Sequence, residues 1–454
     1  MQVSIVGSGY VGITTGVALA YIGHQVTCLD SDEHKIELLR RGTFPIYEPH
    51  LEDLAALSRS RLRFTSDPKE AESGADVIFI AVGTPPQSDG NPDLSFLRAA
   101  AMSVGEHLGE GFTVVVNKST VPIGCGNWVE SLVREAFEAR NGQRPKGLFS
   151  VASNPEFLRE GSALHDSLYP DRVVIGADDP SALERLYVLY KPIIEQTFPA
   201  PIFLPRPESL GAVPLITTNL ASAELTKYAS NAFLSLKISF INEVAQLAEK
   251  AGADITQIGK AIGMDARIGT RFLQAGIGWG GSCFGKDTSA LIATAREYGL
   301  TMPIVGAARE VNYRQRERVI DKLLAELKIL KGRTVGLLGL AFKPQTDDLR
   351  DAPALDIARR LIERGAKVRA HDPVALDRAR LDFPNLPICY TESMDTLAAE
   401  ADALVLVTDW PEYRNLPWPA LAQSMRTPLV LDGRNFLERD ELERAGFRYL
   451  GMGR

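Results

Sequence analysis

The chain has 454 residues and a formal net charge of −7. Single cores stop growing at about 250–300 residues, so more than one domain is expected. The acidic balance argues against nucleic acid or an anionic membrane surface as partner, and no apolar run approaches the ~20 residues needed to cross a bilayer. Met1 runs straight into the first expected strand, which leaves no room for a leader peptide, so a cytoplasmic protein is expected. Four cysteines are present, Cys28, Cys125, Cys283 and Cys389. None forms a C-x-x-C pair, so zinc and dithiol chemistry are disfavoured and no metal site is expected. Cys28 and Cys389 lie in apolar strand-like runs and are expected in cores.

The first apolar run, residues 2–6, leads into Gly7-Ser8-Gly9-Tyr10-Val11-Gly12. An amphipathic helix follows, stops at Gly23-His24, and gives way to a second strand that ends in Asp30. Strand, G-x-G-x-x-G, helix, strand and acid in this order form the dinucleotide-binding fingerprint. Its glycines admit a pyrophosphate to the helix N-terminus. Asp30 would accept from the ribose hydroxyls and repel a 2′-phosphate, which favours NAD over NADP. Lys35 is either a further cofactor contact or part of a solvated helix face. Short apolar runs recur at 77–82, 113–117 and 149–152. They end in Gly83-Thr84-Pro85-Pro86, Lys118-Ser119-Thr120-Val121-Pro122 and Ser153-Asn154-Pro155-Glu156. In an open parallel sheet these loops share the ligand-binding edge. Ser119 and Thr120 are turn residues or ligand contacts. Glu156 and Glu160 have i, i+4 spacing and would share a face of a helical turn; ordinary surface carboxylates are the plainer reading.

Residues 205–220 are rich in Pro, Thr, Leu and Asn and suit a linker. A proline-free stretch, 222–252, reads as one helix about 45 Å long at 1.5 Å per residue. Leu225, Phe233, Leu236, Phe240, Val244 and Leu247 recur at broadly helical intervals, so this face is expected to be buried. Lys227 and Asn231 sit one turn apart. A lysine there either finds a partner or snorkels to solvent. A helix this long can be a spine between domains and a dimer face.

Residues 276–287 form a glycine-rich loop that delivers Cys283. Ordering so much glycine is entropically costly and makes sense where backbone must turn sharply or lie against a ligand. A helical pattern follows at once and stops at Gly299, so Cys283 is expected near a helix N-terminus beside Lys286, an environment that favours the thiolate. A buried core cysteine is the alternative. Beyond it, 334–339 repeats the strand-to-glycine pattern, followed by a helix, a strand ending in His371-Asp372, and strands at 403–408 and 428–431. The expected fold is therefore α/β, with two doubly wound Rossmann-like sheets joined by a long central helix. The expected divisions are 1–205, 206–325 and 326–454. Lys343, Arg350 and Arg434 lie at strand ends of the last part and suit a diphosphate or other anion; ordinary surface charge is the alternative.

Several motifs resemble, in combination and over nearly the whole chain, those of the UDP-glucose/GDP-mannose dehydrogenases. They are Gly7-x-Gly9-x-x-Gly12, Ser119-Thr120-Val121-Pro122-x-Gly124 and Asn154-Pro155-Glu156-Phe157-Leu158-x-Glu160-Gly161. With them go Lys227-Tyr228-x-x-Asn231-x-Phe233, Gly280-Gly281-Ser282-Cys283-Phe284-x-Lys286-Asp287, the segment from Phe342-Lys343 through Arg350, and Gly433-Arg434. Members of that family oxidise the C6 alcohol of a nucleotide sugar to a carboxylate with NAD. The resemblance implies Cys283 as nucleophile, with Thr120, Glu156, Glu160, Lys227, Asn231 and Asp287 around it. It implies cofactor contacts from Gly7, Gly9, Tyr10, Val11, Gly12, Asp30, Lys35, Thr84, Ser119, Thr120, Glu160, Lys286 and Arg350. Substrate contacts are implied for Glu156, Phe157, Leu158, Lys227, Asn231, Phe272, Leu273, Gly280, Phe342, Lys343 and Arg434. Arg267 would reach across the interface of a homodimer built on the central helix. UDP-glucose is the implied substrate. GDP-mannose or a UDP-N-acetylhexosamine is the nearest alternative, and a two-electron dehydrogenase or a non-catalytic NAD-binding sensor stands further off. One departure is Cys125, where the family usually has threonine.

Overall fold

The computed structural model describes residues 1–454. It divides into two compact units, Met1–Ser230 with Ser289–Tyr298, and Asn231–Thr288 with Gly299–Arg454. The first unit holds strands β1 (Gln2–Val6), β2 (Gln25–Leu29), β3 (Leu62–Thr65), β4 (Val77–Ile80), β5 (Thr113–Asn117), β6 (Phe149–Ser153), β7 (Val173–Ala177) and β8 (Leu215–Thr218). They lie in the order β3-β2-β1-β4-β5-β6-β7-β8. The first six are parallel, with the order reversing between β1 and β4, as the fingerprint implied. Every residue of β4 and β5 is buried, the signature of a sheet covered on both faces. The helix Tyr10–Tyr21 packs so tightly on it that a Cβ on Gly16 would lie 2.6 Å from Cys28 Sγ. Cys28 is core, as expected.

Two features depart from the expected sheet. β7 runs antiparallel to β6, and β8 pairs parallel with β7. β8 also falls inside the stretch that suited a linker. It is the outer strand of the sheet, half-exposed along its length, and an edge strand needs no apolar run to mark it. The turn expected to align Glu156 with Glu160 does not form either. Residues 154–159 have no regular structure, and the Glu156 carboxylate accepts from Leu158 N at 2.7 Å instead.

The second unit holds β9 (Thr334–Leu338), β10 (Lys367–His371), β11 (Ile388–Tyr390), β12 (Ala403–Leu406), β13 (Leu429–Asp432) and β14 (Arg448–Leu450), all parallel, in the order β11-β10-β9-β12-β13-β14. This is the second doubly wound sheet that the repeated pattern implied. Cys389 is exposed rather than core, because β11 is the edge strand and its middle residue faces outward.

One helix, Leu220–Ala251, runs from the first unit into the second. Its buried face is the reverse of the one expected. Ala232, Ser235, Ser239, Ala245 and Ala248 are buried, whereas Leu225, Phe233, Phe240 and Leu247 are exposed and Leu236 and Val244 half-exposed. Tyr228 and Ile241 are buried with these small residues, which let the helix approach its neighbours. Ile241, Ala245 and Ala248 pack with Ile255, Leu273 and Ala275 of the same unit. Phe233, Phe240 and Leu247, seven residues apart, form an outward stripe. No helix is long and apolar enough to cross a membrane.

Candidate active site

In the first unit the turn after β1 fits a dinucleotide. Gly7 has φ +102°, and a Cβ there would lie 2.8 Å from the Ala81 carbonyl oxygen. A Cβ on Gly12 would strike the Gly7 carbonyl at 1.9 Å, so no larger residue lets the helix start so close to the strand. At Gly9 nothing lies within 4 Å, which leaves the backbone open to a pyrophosphate. At the end of β2, Asp30 Oδ2 accepts from Ser8 N and from Lys35 Nζ, each at 2.9 Å. Lys35 is thus held at Asp30 rather than spread on a solvated face. These residues fit NAD.

Tyr10 adds a contact that the spacing of motifs did not reveal. Its hydroxyl bonds to the buried Glu48 carboxylate, and both accept from Gly161 N at 2.8 Å. Burial raises the Glu48 carboxyl above the usual range, and burial together with Glu48 raises the Tyr10 phenol further still. The first glycine turn is thereby tied to the segment after β6. Glu48 sits in a loop with no apolar pattern and offered no signal in the sequence.

The strand-end loops of the same unit interlock. Ser119 Oγ donates to Val82 O at 2.7 Å, and Thr84 Oγ1 donates to Thr120 O at 2.9 Å. After β6, Glu156 Oε1 pairs with Lys227 Nζ at 2.7 Å, with side-chain exposures of 8% and 5%. Lys227 is therefore a buried, partnered cation and does not snorkel. Its ammonium also lies 5.6 Å from the Phe157 ring centroid, against which the Arg172 guanidinium stacks at 3.7 Å. Lys118, also buried, donates to Asn154 Oδ1 at 2.8 Å. Burial, opposed by Glu156 and reinforced by Lys227, lowers its ammonium to about 8. Burial disfavours the Glu156 anion, but Lys227, the Leu158 N–H and Lys118 outweigh it and hold this carboxyl below the usual range. Lys118 was legible only as part of a loop.

In the second unit the glycine loop is buried and irregular from 276 to 281, and then enters the helix Ser282–Glu297. Cys283 is in the first turn and exposed, which excludes a core role. One turn on, the buried Asp287 accepts from Asn231 Nδ2 at 2.6 Å and pairs with Lys286 Nζ at 2.7 Å. The loop is glycine by necessity. A Cβ on Gly280 would sit 2.4 Å from the Asp351 carbonyl oxygen, and one on Gly281 would sit 2.7 Å from the Phe342 ring. Arg434 donates to backbone, to Val407 O at 2.7 Å and Gly278 O at 2.9 Å, and burial lowers its guanidinium. Arg350 is exposed and forked onto Asp348, while its own carbonyl accepts from Gly281 N. Arg434 Nη2 also lies 3.4 Å from the Phe342 carbonyl oxygen, next to Lys343, and Phe342 and the Arg434 side chain both brace the cysteine loop. Phe272, at φ +65°, meets Phe284 edge-on, and Leu273 is buried. Arg267 is exposed and paired with Asp265. Cys125 is buried at the start of the helix Cys125–Asn141, and burial, with Glu224 and Glu297, pushes its thiol up to about 12. Of the four thiols, Cys283 and Cys389 are open to reagents.

A crevice built for a dinucleotide and a thiol presented at a helix N-terminus are the working parts of an NAD-dependent dehydrogenase. The chain belongs to the UDP-glucose/GDP-mannose dehydrogenase family: the family's NAD-binding domain matches residues 1–194, its central domain 221–314 and its UDP-binding domain 336–439. It is 43% identical to the UDP-glucose 6-dehydrogenase TuaD of Bacillus subtilis, covering 100% of this chain and 93% of that protein. It is 44% identical to the UDP-glucose 6-dehydrogenase of Rhizobium meliloti, covering 100% of both. A UDP-glucose dehydrogenase structure from the archaeon Pyrobaculum islandicum superposes with a TM-score of 0.87 at 41% identity, covering 99% of this chain and 97% of that one.

Proposed function

We propose that this protein oxidises UDP-glucose to UDP-glucuronate in two successive two-electron steps, through a thiohemiacetal and a thioester on Cys283. Bound NAD supplies the hydride acceptor. The observation that carries the reading is Cys283 itself, exposed in the first turn of a helix whose next turn holds Asp287 between Asn231 and Lys286. An aldehyde has no second hydride to give until a nucleophile adds to it. The Cys283 thiolate adds to C6, and the thiohemiacetal can then give its hydride to a second NAD and become a thioester. Water attacks the thioester carbonyl, the C–S bond breaks with the Cys283 thiolate as leaving group, and the acid is released. Asp287, with Glu160, steers that water. Lys227 and Asn231 stabilise the oxyanion that develops at C6, and the Glu156 pair holds Lys227 in place. Thr120 takes part with Asp287 in the first proton removal. Lys343 and Arg434, with Phe157, Leu158, Phe272, Leu273, Gly280 and Phe342, serve the nucleotide sugar.

The same reading includes a homodimer through the outward stripe Phe233, Phe240 and Leu247; Met264 and Ile268 of the same unit are also exposed. An apolar stripe of this kind calls for a partner. Arg267 would serve the partner's sugar, and the location would be cytoplasmic. A panel of UDP-glucose, GDP-mannose and UDP-N-acetylhexosamines assayed with NAD tests the substrate. UDP-glucose should give the highest kcat/KM and an acid product; a preference for another donor would overturn the assignment.

A further inference from the structure

The helix Pro303–Leu327 carries three polar residues where an apolar seam would be ordinary. Asn312, Gln315 and Arg316 share one face at i, i+3 and i+4 and are 0%, 1% and 4% exposed. Buried polar groups must find partners, and so must the backbone of an irregular buried loop. Each supplies the other's need. Asn312 Oδ1 accepts from Trp279 N at 2.7 Å, and Asn312 Nδ2 donates to Trp279 O at 3.0 Å. Gln315 Nε2 donates to Gly276 O at 2.8 Å. Arg316 donates to Trp279 O at 3.3 Å and pairs with Asp351 at 2.8 Å. Asn312 thus pairs with Trp279 as a neighbouring strand would. The loop is shaped to admit it: Gly278 has φ +91°, and a Cβ there would lie 2.4 Å from Asn312 Oδ1. Trp279 is four residues before Cys283, and the helix bearing the thiol begins at Ser282.

We propose that Asn312, Gln315 and Arg316 are positioning residues for Cys283, a polar splint that fixes the loop and so the direction of the thiol. The inference deepens the proposed function and rests on it for its catalytic half. Covalent capture of an aldehyde depends on attack geometry, where misplacement by 1 Å can cost about 10²-fold.

The test uses the full-length enzyme and two readouts. The first is kcat and KM with UDP-glucose. The second, which needs no substrate, is the rate at which iodoacetamide alkylates Cys283, read by peptide mass spectrometry with Cys389 as internal control. Asn312→Ala should lower kcat about 10–100-fold while KM stays within about threefold. The Cys283 alkylation rate should change about fivefold or more and the Cys389 rate should not. Asn312→Asp, which keeps the acceptor and loses the donor, should fall in between. A folded Asn312→Ala enzyme with both the alkylation rate and kcat of the wild type would overturn the proposal. Should that variant not fold, Asn312→Asp and Gln315→Met decide by the same criteria. If UDP-glucose proves not to be a substrate, the alkylation rates still answer the positioning question separately.

Discussion

Replacing Glu156 by Gln tests the buried ion pair beneath the proposed oxyanion site. The substitution keeps size and shape but removes the anion that faces Lys227 at 2.7 Å. What remains is two ammonium groups, Lys227 and Lys118, both under 9% exposed. Breaking a buried pair by removing one partner costs about 3–5 kcal/mol. For a unit of this size 1 kcal/mol corresponds to about 2–4 °C, so a loss of about 6–20 °C in Tm is expected. The pH dependence carries a sign. The wild-type Glu156 carboxyl titrates below its unfolded value. Its contribution is full above that value and is lost as pH falls through the folded one. In the variant the stranded lysines escape by losing a proton, so the deficit should be larger at pH 6 than at pH 9. Thermal unfolding at the two pH values, with the Glu156→Gln/Lys227→Met double variant alongside, checks this. The double variant should be less destabilised than Glu156→Gln alone. A Tm within 2 °C of wild type at pH 6 would refute the reasoning.

Glu72 is fully buried, and burial pushes its carboxyl up to about 8. His107 Nδ1 lies 3.2 Å from this carboxylate and 2.9 Å from the Ser103 carbonyl oxygen. Because this folded value is raised, stability is full below the unfolded value and is lost as pH rises to about 8. Glu72→Gln should therefore gain on wild type by more at pH 8.5 than at pH 5, and equal Tm differences at both pH values would contradict it. Gly281→Ala should cost about 1–3 kcal/mol for the left-handed backbone alone, beyond the displaced Phe342 ring, and should lower kcat; wild-type Tm and kcat would count against the tight loop. If the proposed homodimer forms through the outward stripe, Phe240→Glu should halve the mass seen by light scattering, and a mass that matches wild type would count against that interface.

Much of this was legible because the parts announce themselves chemically. The fingerprint of residues 7–12 with Asp30, and the glycine run before Cys283, each carry a steric requirement that only glycine meets, and a requirement of that kind shows in sequence. The doubly wound sheets follow from apolar runs punctuated by loops, which is why β1, β2, β5 and β9 fell where expected. What was hidden is what pattern does not encode. β8 and β14 lie outside the long apolar runs, and both are edge strands. The long helix displayed Phe233, Phe240 and Leu247 and buried several alanines and serines along with Tyr228 and Ile241, a face that apolar periodicity alone did not mark. Lys118, Glu48 and Asn312 are single polar residues whose importance lies in burial, and burial of a lone polar side chain leaves no periodic trace.

The central claim is tested most directly by counting. With UDP-glucose limiting and NAD in excess, the wild-type enzyme should release two NADH for each UDP-glucuronate formed, and Cys283→Ala should form no acid while still binding NAD. One NADH per substrate, or full acid formation by the Cys283→Ala variant, would contradict the account.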